Sequence, residues 1–333
     1  MQAQQLRLLN EFQRDFPLSA RPFAAIGERI GMSEQAVIDA LHAWQQQGLV
    51  SRVGAVFRPN TVGVSTLAAM AVPRERLAEV AQLVSGYSEV NHNYAREHRY
   101  NLWFVITAAN RLRLRVVLDA IRNRARLPVL DLPLVEEYHI DLGFDLRANQ
   151  AATAEVKVRR GAVEQSLPLE DISGAERALI AALQSGLPLT PRPYARIGEQ
   201  AELREDEVTA RIAAWLKAGV IRRLGVVVRH HELGYTTNAM VVWDVPDDQV
   251  AEVGRRLSQQ DCVTLCYRRP RRLPDWPYNL FCMIHGQDRA VVQDQIKALR
   301  RQHGLEAVPC VVLFSQARFK QRGAHYVAAA GAA

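Results

Sequence analysis

Hydrophobic and polar positions follow two different rhythms along the first part of the chain. Residues 24–30 and 34–47 carry apolar residues at three- and four-residue spacing, which predicts two short helices, and Ser33 can cap the second. Residues 49–57 then alternate position by position, as strands do. Two helices followed by a strand-forming wing predict a winged helix-turn-helix over residues 1–63.

The next segment, residues 64–149, changes repeatedly between strand-like and helix-like patterns. Strands are predicted at residues 64–72, 88–95, 99–108 and 132–141, and helices at residues 74–85 and 110–125. The order βαββαβ is that of a ferredoxin-like plait.

The second half of the chain repeats the first. At a fixed offset of 171 residues, matching positions are Pro22 and Pro193, Gly27 and Gly198, Trp44 and Trp215, and Arg52 and Arg223. The βαββαβ pattern also returns, with its last strand at residues 308–315. A repeat of this length is a duplicated two-domain unit and not a solenoid. We therefore predict an α+β fold with two tandem copies of a winged helix-turn-helix followed by a ferredoxin-like βαββαβ domain.

The repeat also sets the predicted domain boundaries. They are residues 1–63 for the first winged helix-turn-helix, 64–149 for the first ferredoxin-like domain, 150–170 for a linker, 171–234 for the second winged helix-turn-helix, 235–326 for the second ferredoxin-like domain and 327–333 for a disordered tail.

Composition narrows the class of protein. The N-terminal residues lack the apolar stretch of a signal peptide, and no run approaches the roughly 20 apolar residues of a membrane span, so we expect a cytoplasmic protein. The four cysteines match no metal-binding spacing, so no metal site is expected. A net charge of +7 permits an anionic partner.

A winged helix followed by a βαββαβ domain resembles the Lrp/AsnC family of transcription regulators. That resemblance implies a recognition helix in the DNA major groove. The helix at residues 33–47 contains no Lys or Arg, however, and residues 205–207 place three acidic side chains at the start of its counterpart. Such charges stabilise a helix but repel phosphates. We expect no DNA binding, and winged helices that serve in dimerisation or packing.

Candidate chemistry is concentrated in two strand–loop–strand segments at equivalent places in the two plaits. Arginines there can form bidentate hydrogen bonds with carboxylates, and aromatic rings offer flat faces. This pattern favours a planar polycarboxylate over a nucleotide or single-stranded nucleic acid, and we expect the two loops to form an open, ring-lined surface. The residues are His92, Tyr94, Arg96, His98, Tyr100 and Trp103 in the first segment, and Tyr267, Arg268, Arg269, Arg271, Arg272, Trp276, Tyr278 and His285 in and after the second.

Three strings sharpen the interpretation: NYAREHRYNLWFV at residues 93–105, CYRRPRRLPDWPYNLFCMIHG at 266–286 and FSQARFKQRGAHY at 314–326. They resemble the siroheme decarboxylases, Lrp-like proteins of tetrapyrrole synthesis, in the fused form that joins two related subunits. The resemblance implies removal of the acetate carboxyl groups at C12 and C18 of siroheme, giving 12,18-didecarboxysiroheme for haem d1 or an alternative haem route. It also implies that no cofactor is needed beyond the iron tetrapyrrole substrate.

Roles for the residues follow from this chemistry. Loss of CO2 leaves negative charge that must be protonated, and we expect His98 to supply the proton, with His92 and Tyr94 as alternatives. Arginine would stabilise a departing carboxylate in the ground state, so the arginines are expected to hold the carboxylates that remain. Which histidine ligates iron stays open, with His139 and His285 included.

The remaining expectations concern partners and competing functions. Siroheme is the expected small-molecule partner, no membrane association is expected, and the chain is expected to form a homo-oligomer or a complex with related siroheme decarboxylase subunits. The alternatives are a ligand-responsive DNA-binding regulator of the Lrp/AsnC type and a tetrapyrrole carrier without catalysis.

Overall fold

The computed structural model describes residues 3–140, 172–228 and 237–326. The predicted linker at residues 150–170 and the predicted tail at 327–333 lie outside these ranges. Within them, the helices are α1 (Ala3–Glu11), α2 (Pro22–Ile30), α3 (Glu34–Gln46), α4 (Leu77–Ser85), α5 (Arg111–Ala125), α6 (Gly174–Gln184), α7 (Pro193–Ala201), α8 (Glu205–Lys217), α9 (Val250–Leu257) and α10 (Arg289–Gln302). The strands are β1 (Val50–Phe57), β2 (Val64–Met70), β3 (Val90–Arg96), β4 (Leu102–Ala108), β5 (Leu130–Pro133), β6 (Glu136–Ile140), β7 (Ile221–Val228), β8 (Thr237–Trp243), β9 (Val263–Arg268), β10 (Leu280–Gly286) and β11 (Cys310–Gln321).

Local sequence signals set the ends of α2 and α3, and α2 begins two residues before its predicted start. Helix α2 begins at Pro22, whose missing N–H costs nothing in a first turn, and ends at Gly31 with a φ of 74°. Ser33 caps α3 by accepting a hydrogen bond of 3.1 Å from the Ala36 N–H.

The two winged helices form one unit. Their wing strands β1 and β7 pair antiparallel, with Gly54 opposite Gly225, and their apolar faces share a single hydrophobic core. The first turns of the equivalent helices α3 and α8 are also neutralised within the chain, because Arg21 binds Glu34 and Arg192 binds Glu205. In α3 and α8 the first turn therefore carries ion-paired side chains, whereas the recognition helix of a DNA-binding protein would carry unpaired cations there.

The strands of both plaits form one nine-stranded sheet in the order β5-β2-β4-β3-β11-β8-β10-β9-β6. Strand β11 pairs with β8 of its own plait and then continues onto β3 of the first. In the same way, β5 pairs with β2, and β6, two residues further on, pairs with β9 of the second plait. Each half thus gives the end of its last strand to the other half.

This exchange differs from the prediction that residues 132–141 and 308–315 would each end their own plait. The alternation along a strand shows which face is buried, but it does not show which strand lies beside it. Strand β11 is longer than predicted, the predicted strand at residues 132–141 is divided into β5 and β6, and β6 and the second part of β11 cross between the halves.

Helices cover the outer faces of the sheet, and the inner faces of the two plaits pack against each other. This inner core holds aromatic and aliphatic side chains from both halves: Leu67, Ala69, Tyr100, Trp103, Leu132, Met240, Val242, Tyr267, Trp276, Phe281, Met283 and Leu313. Among the described residues, no helix is both long and apolar enough to cross a lipid bilayer.

Candidate functional site

Both candidate loops lie at this inner core. We call residues 96–102, between β3 and β4, tip 1, and residues 268–280, between β9 and β10, tip 2. Trp276 of tip 2 is fully buried, and its ring centroid lies 5.5 Å from that of His98, 5.9 Å from that of Tyr100 and 5.1 Å from that of Trp103. The two tips, far apart in sequence, therefore pack against each other.

The expected open, ring-lined surface is not present, because tip 2 folds its tryptophan inward. The backbones of Arg272 and Trp276 exchange two hydrogen bonds of 2.7 Å, which closes a short hairpin with Leu273 exposed at its end. Trp103 and Trp276 are both buried. Neither ring has a face free for a ligand in this arrangement, and their roles in substrate binding stay predictions.

Two arginines of tip 2 are already neutralised. Arg271 lies 2.7 Å from Asp244 and 2.6 Å from Asp247, and Arg268 lies 3.2 Å from Asp247. The hydrogen bond from Arg271 is the main cause that lowers the pKa of Asp247. The neighbouring Arg272 donates through Nε to the Asp131 carbonyl oxygen at 2.8 Å.

Arg96 and Arg269 are different, because both donate to neutral oxygen atoms, Arg96 from a buried position and Arg269 from a half-buried one. Arg96 donates to the Leu313 carbonyl oxygen at 3.0 Å, and Arg269 donates to the Leu132 carbonyl oxygen. Leu132 and Leu313 occupy matching places on the last strands of the two plaits, so each arginine reaches across to the other half. The contact of Arg96 with Leu313 and that of Arg269 with Leu132 are therefore equivalent under the internal repeat.

Burial acts on the charge of both groups. It lowers the pKa of Arg96 to about 10 and lowers the pKa of Arg269, while nearby Tyr267 opposes the shift in both cases. Both guanidinium groups still carry their charge at neutral pH. A buried cation without a counter-ion is unfavourable, so an anion that reached Arg96 would be strongly attracted. The charge of Asp131 already acts in favour of the charged form of Arg269. The Arg269 guanidinium also lies 4.6 Å from the Tyr267 ring centroid, and its Nε has no hydrogen-bond partner among the described residues.

His98 lies at the contact between the tips. Its Nδ1 accepts a hydrogen bond of 3.0 Å from the Tyr100 backbone N–H, so the proton of the neutral ring is on Nε2. Burial, and then the charge of Arg99, lowers its pKa, and its ring stacks on that of Tyr100 at 6.1 Å. The ring is thus held in one tautomer with Nε2 as its donor.

The other candidate histidines lie elsewhere on the sheet. His92 stacks on Tyr94 along β3, with ring centroids 6.3 Å apart, and burial raises the pKa of Tyr94. His139 lies on β6 opposite Cys266 of β9. His285 lies at the far end of β10 from tip 2. The structure therefore brings only His98 of this set against Trp276.

Two further tyrosines complete the predicted set. Tyr267 is buried, and its ring stacks on Phe281 with centroids 5.9 Å apart. Tyr278 contacts the Trp276 ring at 5.0 Å, and burial raises the pKa of both Tyr278 and Tyr100. Tyr278 and Tyr100 therefore stay protonated at neutral pH, and Tyr267 and Tyr278 pack as aromatic walls.

Asn238, Asp244 and Asp247 also belong to this region, and no sequence motif predicts their place in it. Asn238 Oδ1 accepts from Arg96 at 3.3 Å, and the two aspartates bind the arginines of tip 2. The acidic stretch at residues 244–248 was the available signal, since it is a natural complement to the arginine cluster. This acidic stretch is separated from the arginine cluster by α9 and β9, so the spacing in the sequence did not connect the acidic residues with the arginines.

The chain was compared with known proteins. A family model for the AsnC-like ligand binding domain matches residues 61–139 and 232–320, and one for the siroheme decarboxylase NirDL-like HTH domain matches residues 5–50 and 176–222. The siroheme decarboxylase NirDL subunit of Paracoccus denitrificans is 44% identical over 322 residues, which cover 96% of each chain. The NirD subunit of Pseudomonas aeruginosa is 50% identical over 144 residues, 43% of this chain and 96% of that subunit.

Solved structures agree with these matches. A crystal structure of a siroheme decarboxylase NirDL covers 98% of this chain and 94% of that one, with 26% identity and a TM-score of 0.72. A second, in complex with an iron-uroporphyrin III analogue, covers 97% and 93% of the two chains with 27% identity and a TM-score of 0.68.

Proposed function

The chain belongs to the siroheme decarboxylase family and is a carboxy-lyase, and we propose that it removes the acetate carboxyl groups at C12 and C18 of siroheme. The product is then 12,18-didecarboxysiroheme, for haem d1 or an alternative haem route. The paired charges of α3 and α8 set this function apart from that of an Lrp/AsnC-type regulator. The observation that supports the proposed binding mode is the equivalent pair of arginines, Arg96 (buried) and Arg269 (half-buried), whose acceptors are neutral.

These two arginines hold the carboxylates that siroheme retains. Arginine and carboxylate form bidentate, charge-assisted hydrogen bonds, and burial strengthens them. Arg268 and Arg271 contribute less, because Asp244 and Asp247 already neutralise them. Since Arg96 is buried, the substrate reaches it only when the contacts around tip 1 open.

His98 supplies the proton. Breaking the bond between the acetate methylene and its carboxylate releases CO2 and leaves the electron pair on the methylene carbon, which is attached to the conjugated ring. The macrocycle delocalises that charge, so the substrate itself provides the electron sink and no further cofactor is needed. Transfer of the Nε2 proton of the neutral His98 ring to the carbon gives the methyl group, and the imidazolate that is left regains a proton from water.

Complexes with related subunits accompany this function. The half-length NirD subunit of Pseudomonas aeruginosa shows that related chains occur separately. The sheet and winged-helix contacts between the two halves of this chain supply a geometry for such pairing. Homo-oligomer formation and a cytoplasmic location stay predictions.

The activity is tested by anaerobic incubation of the protein with siroheme, followed by mass spectrometry of the pigment. We expect species that have lost one and then two molecules of CO2 over time. Heat-denatured protein is the control. A tight complex whose pigment keeps its mass would show a carrier and overturn the proposed decarboxylation.

The binding mode is tested by comparing Arg96→Lys with Arg271→Lys. We expect Arg96→Lys to weaken siroheme binding about 10- to 100-fold, because a buried bidentate contact is lost, and the loss corresponds to about 1.4–2.8 kcal/mol. Arg271→Lys should change it less than about threefold, since its carboxylate partners come from the chain itself. Binding is measured by absorbance titration of the iron tetrapyrrole.

Arg269→Lys tests the equivalent arginine of the second half. The melting temperature of each variant reports whether the variant is folded. Equal losses in Arg96→Lys and Arg271→Lys would contradict the assignment of the carboxylate site to Arg96 and Arg269. A loss confined to Arg271→Lys would place the carboxylates at the outer face of tip 2.

A further inference from the structure

Asn238 lies between two groups that belong to different halves of the chain. Its Oδ1 accepts from both terminal nitrogens of Arg96 at 3.3 Å, and its Nδ2 lies 3.2 Å from His285 Nε2. His285 is its direct cross-strand partner, on β10 opposite β8. Beyond the histidine, Nδ1 lies 2.9 Å from Thr264 Oγ1, which donates to the Met283 carbonyl oxygen at 3.1 Å. A connected polar network therefore runs from tip 1 into the second plait.

The direction of every hydrogen bond in this network follows from its two ends. A guanidinium group only donates, so the oxygen of Asn238 must face Arg96 and its NH2 group must face His285. His285 Nε2 then accepts, which places the ring proton on Nδ1. The Thr264 hydroxyl oxygen accepts a hydrogen bond from His285 Nδ1–H, and the same hydroxyl donates to the Met283 carbonyl oxygen.

We propose that Asn238 is a positioning residue that holds the Arg96 guanidinium in place for a substrate carboxylate without neutralising its charge. This inference rests on the proposed function of Arg96. An amide oxygen is strong enough to orient a guanidinium, and it adds no negative charge that would compete with the substrate. His285 contributes by fixing which way the amide points.

The second plait shows the contrasting arrangement. Arg271 is held by two carboxylates, those of Asp244 and Asp247, and is thereby neutralised. An aspartate at position 238 would do the same to Arg96, at nearly the same size and shape. It would also present only acceptors to His285 Nε2, so the ring would have to carry a proton on that nitrogen.

The first measurement uses the unaltered protein without substrate. Nitrogen-15 NMR of the histidine rings at neutral pH, with His285→Gln to assign the signal, should show His285 as the neutral tautomer protonated on Nδ1. A signal for the tautomer protonated on Nε2, or for the imidazolium, overturns the assigned direction and with it the positioning role.

The second measurement uses Asn238→Asp. We expect its affinity for siroheme to fall about tenfold in absorbance titrations, the effect of neutralising one of two carboxylate-binding cations, and the His285 ring to become protonated on Nε2. Asn123→Asp on the exposed surface of α5 adds the same charge and should leave affinity unchanged. Unchanged affinity in Asn238→Asp overturns the proposal.

The measurements distinguish the role of Arg96 in carboxylate binding from its positioning by Asn238. If His285 has the expected tautomer, and Asn238→Asp changes it, while Arg96→Lys binds siroheme normally, the positioning of Arg96 by Asn238 is supported and the role of Arg96 in carboxylate binding is overturned. If Arg96→Lys binds weakly and Asn238→Asp does not, the carboxylate site stands and the positioning role fails.

Discussion

His98→Ala should lower the turnover of siroheme by about 10²- to 10⁴-fold, the usual range for loss of a positioned proton donor. Binding should change far less, because the carboxylates are held by other residues. The physical reason is the fixed tautomer: the Tyr100 N–H occupies Nδ1, so Nε2 always carries the proton. Single-turnover conversion of the pigment measures the rate, and absorbance titration measures binding.

Two controls make this result specific. His98→Gln keeps an acceptor for the Tyr100 N–H, so it should retain the shape of tip 1 and still lose turnover. His92→Ala, on β3 away from Trp276, should keep most of the activity. If His92→Ala is inactive and His98→Ala is active, the donor is His92 and the assignment to His98 is wrong.

The pH dependence of turnover has a definite sign. Burial and Arg99 lower the pKa of His98, so the ring is neutral at pH 7 and becomes an imidazolium only below the ordinary histidine range. The donor is the neutral ring, and protonation of Nδ1 displaces the Tyr100 N–H, so the rate falls as pH falls through this lowered pKa. A rate that instead rises as pH falls across that range, with binding unchanged, would overturn the neutral ring as the donor.

Trp276→Ala should lower the free energy of unfolding by about 3–5 kcal/mol, the cost of removing a large buried aromatic side chain. Its ring is fully buried and contacts rings of both tips, so its loss opens a cavity at the junction of the two halves. Urea unfolding followed by circular dichroism measures the change.

Leu273→Ala is the matched control, because it lies three residues away in the same hairpin and is 71% exposed. It should change the free energy of unfolding by less than about 0.5 kcal/mol. A cost for Trp276→Ala of less than about 1 kcal/mol would show that tip 2 does not stabilise the inner core.

Most of the architecture could be predicted from the sequence. Helical and strand periodicities are local, and the predicted cap at Ser33 is confirmed, whereas α2 begins at Pro22, two residues before the predicted start. The order of the domains could be predicted from the internal repeat, because equivalent residues recur at a constant spacing. The family also could be identified, since the motifs are long and specific.

The environment of the tips could not be predicted in the same way. Arginine and aromatic residues in a loop are compatible with an open surface or with a packed contact, and the choice depends on what the other half presents. Trp276 is buried because tip 1 offers Trp103 and Tyr100 to it. Likewise, only folding shows that Asp244 and Asp247 lie beside Arg271 while Arg96 meets an amide.

The exchange of last strands makes each half depend on an unlike neighbour. If two copies of the first half associated with each other, the space that Trp276 fills would stay empty. Tip 1, at residues 96–102, is shorter than tip 2, at residues 268–280, and has no counterpart of the hairpin that carries Trp276. Two copies of the second half would instead force two indole rings toward one space. Joining the halves in one polypeptide fixes their ratio at one to one, and Trp276 disfavours pairing between identical halves.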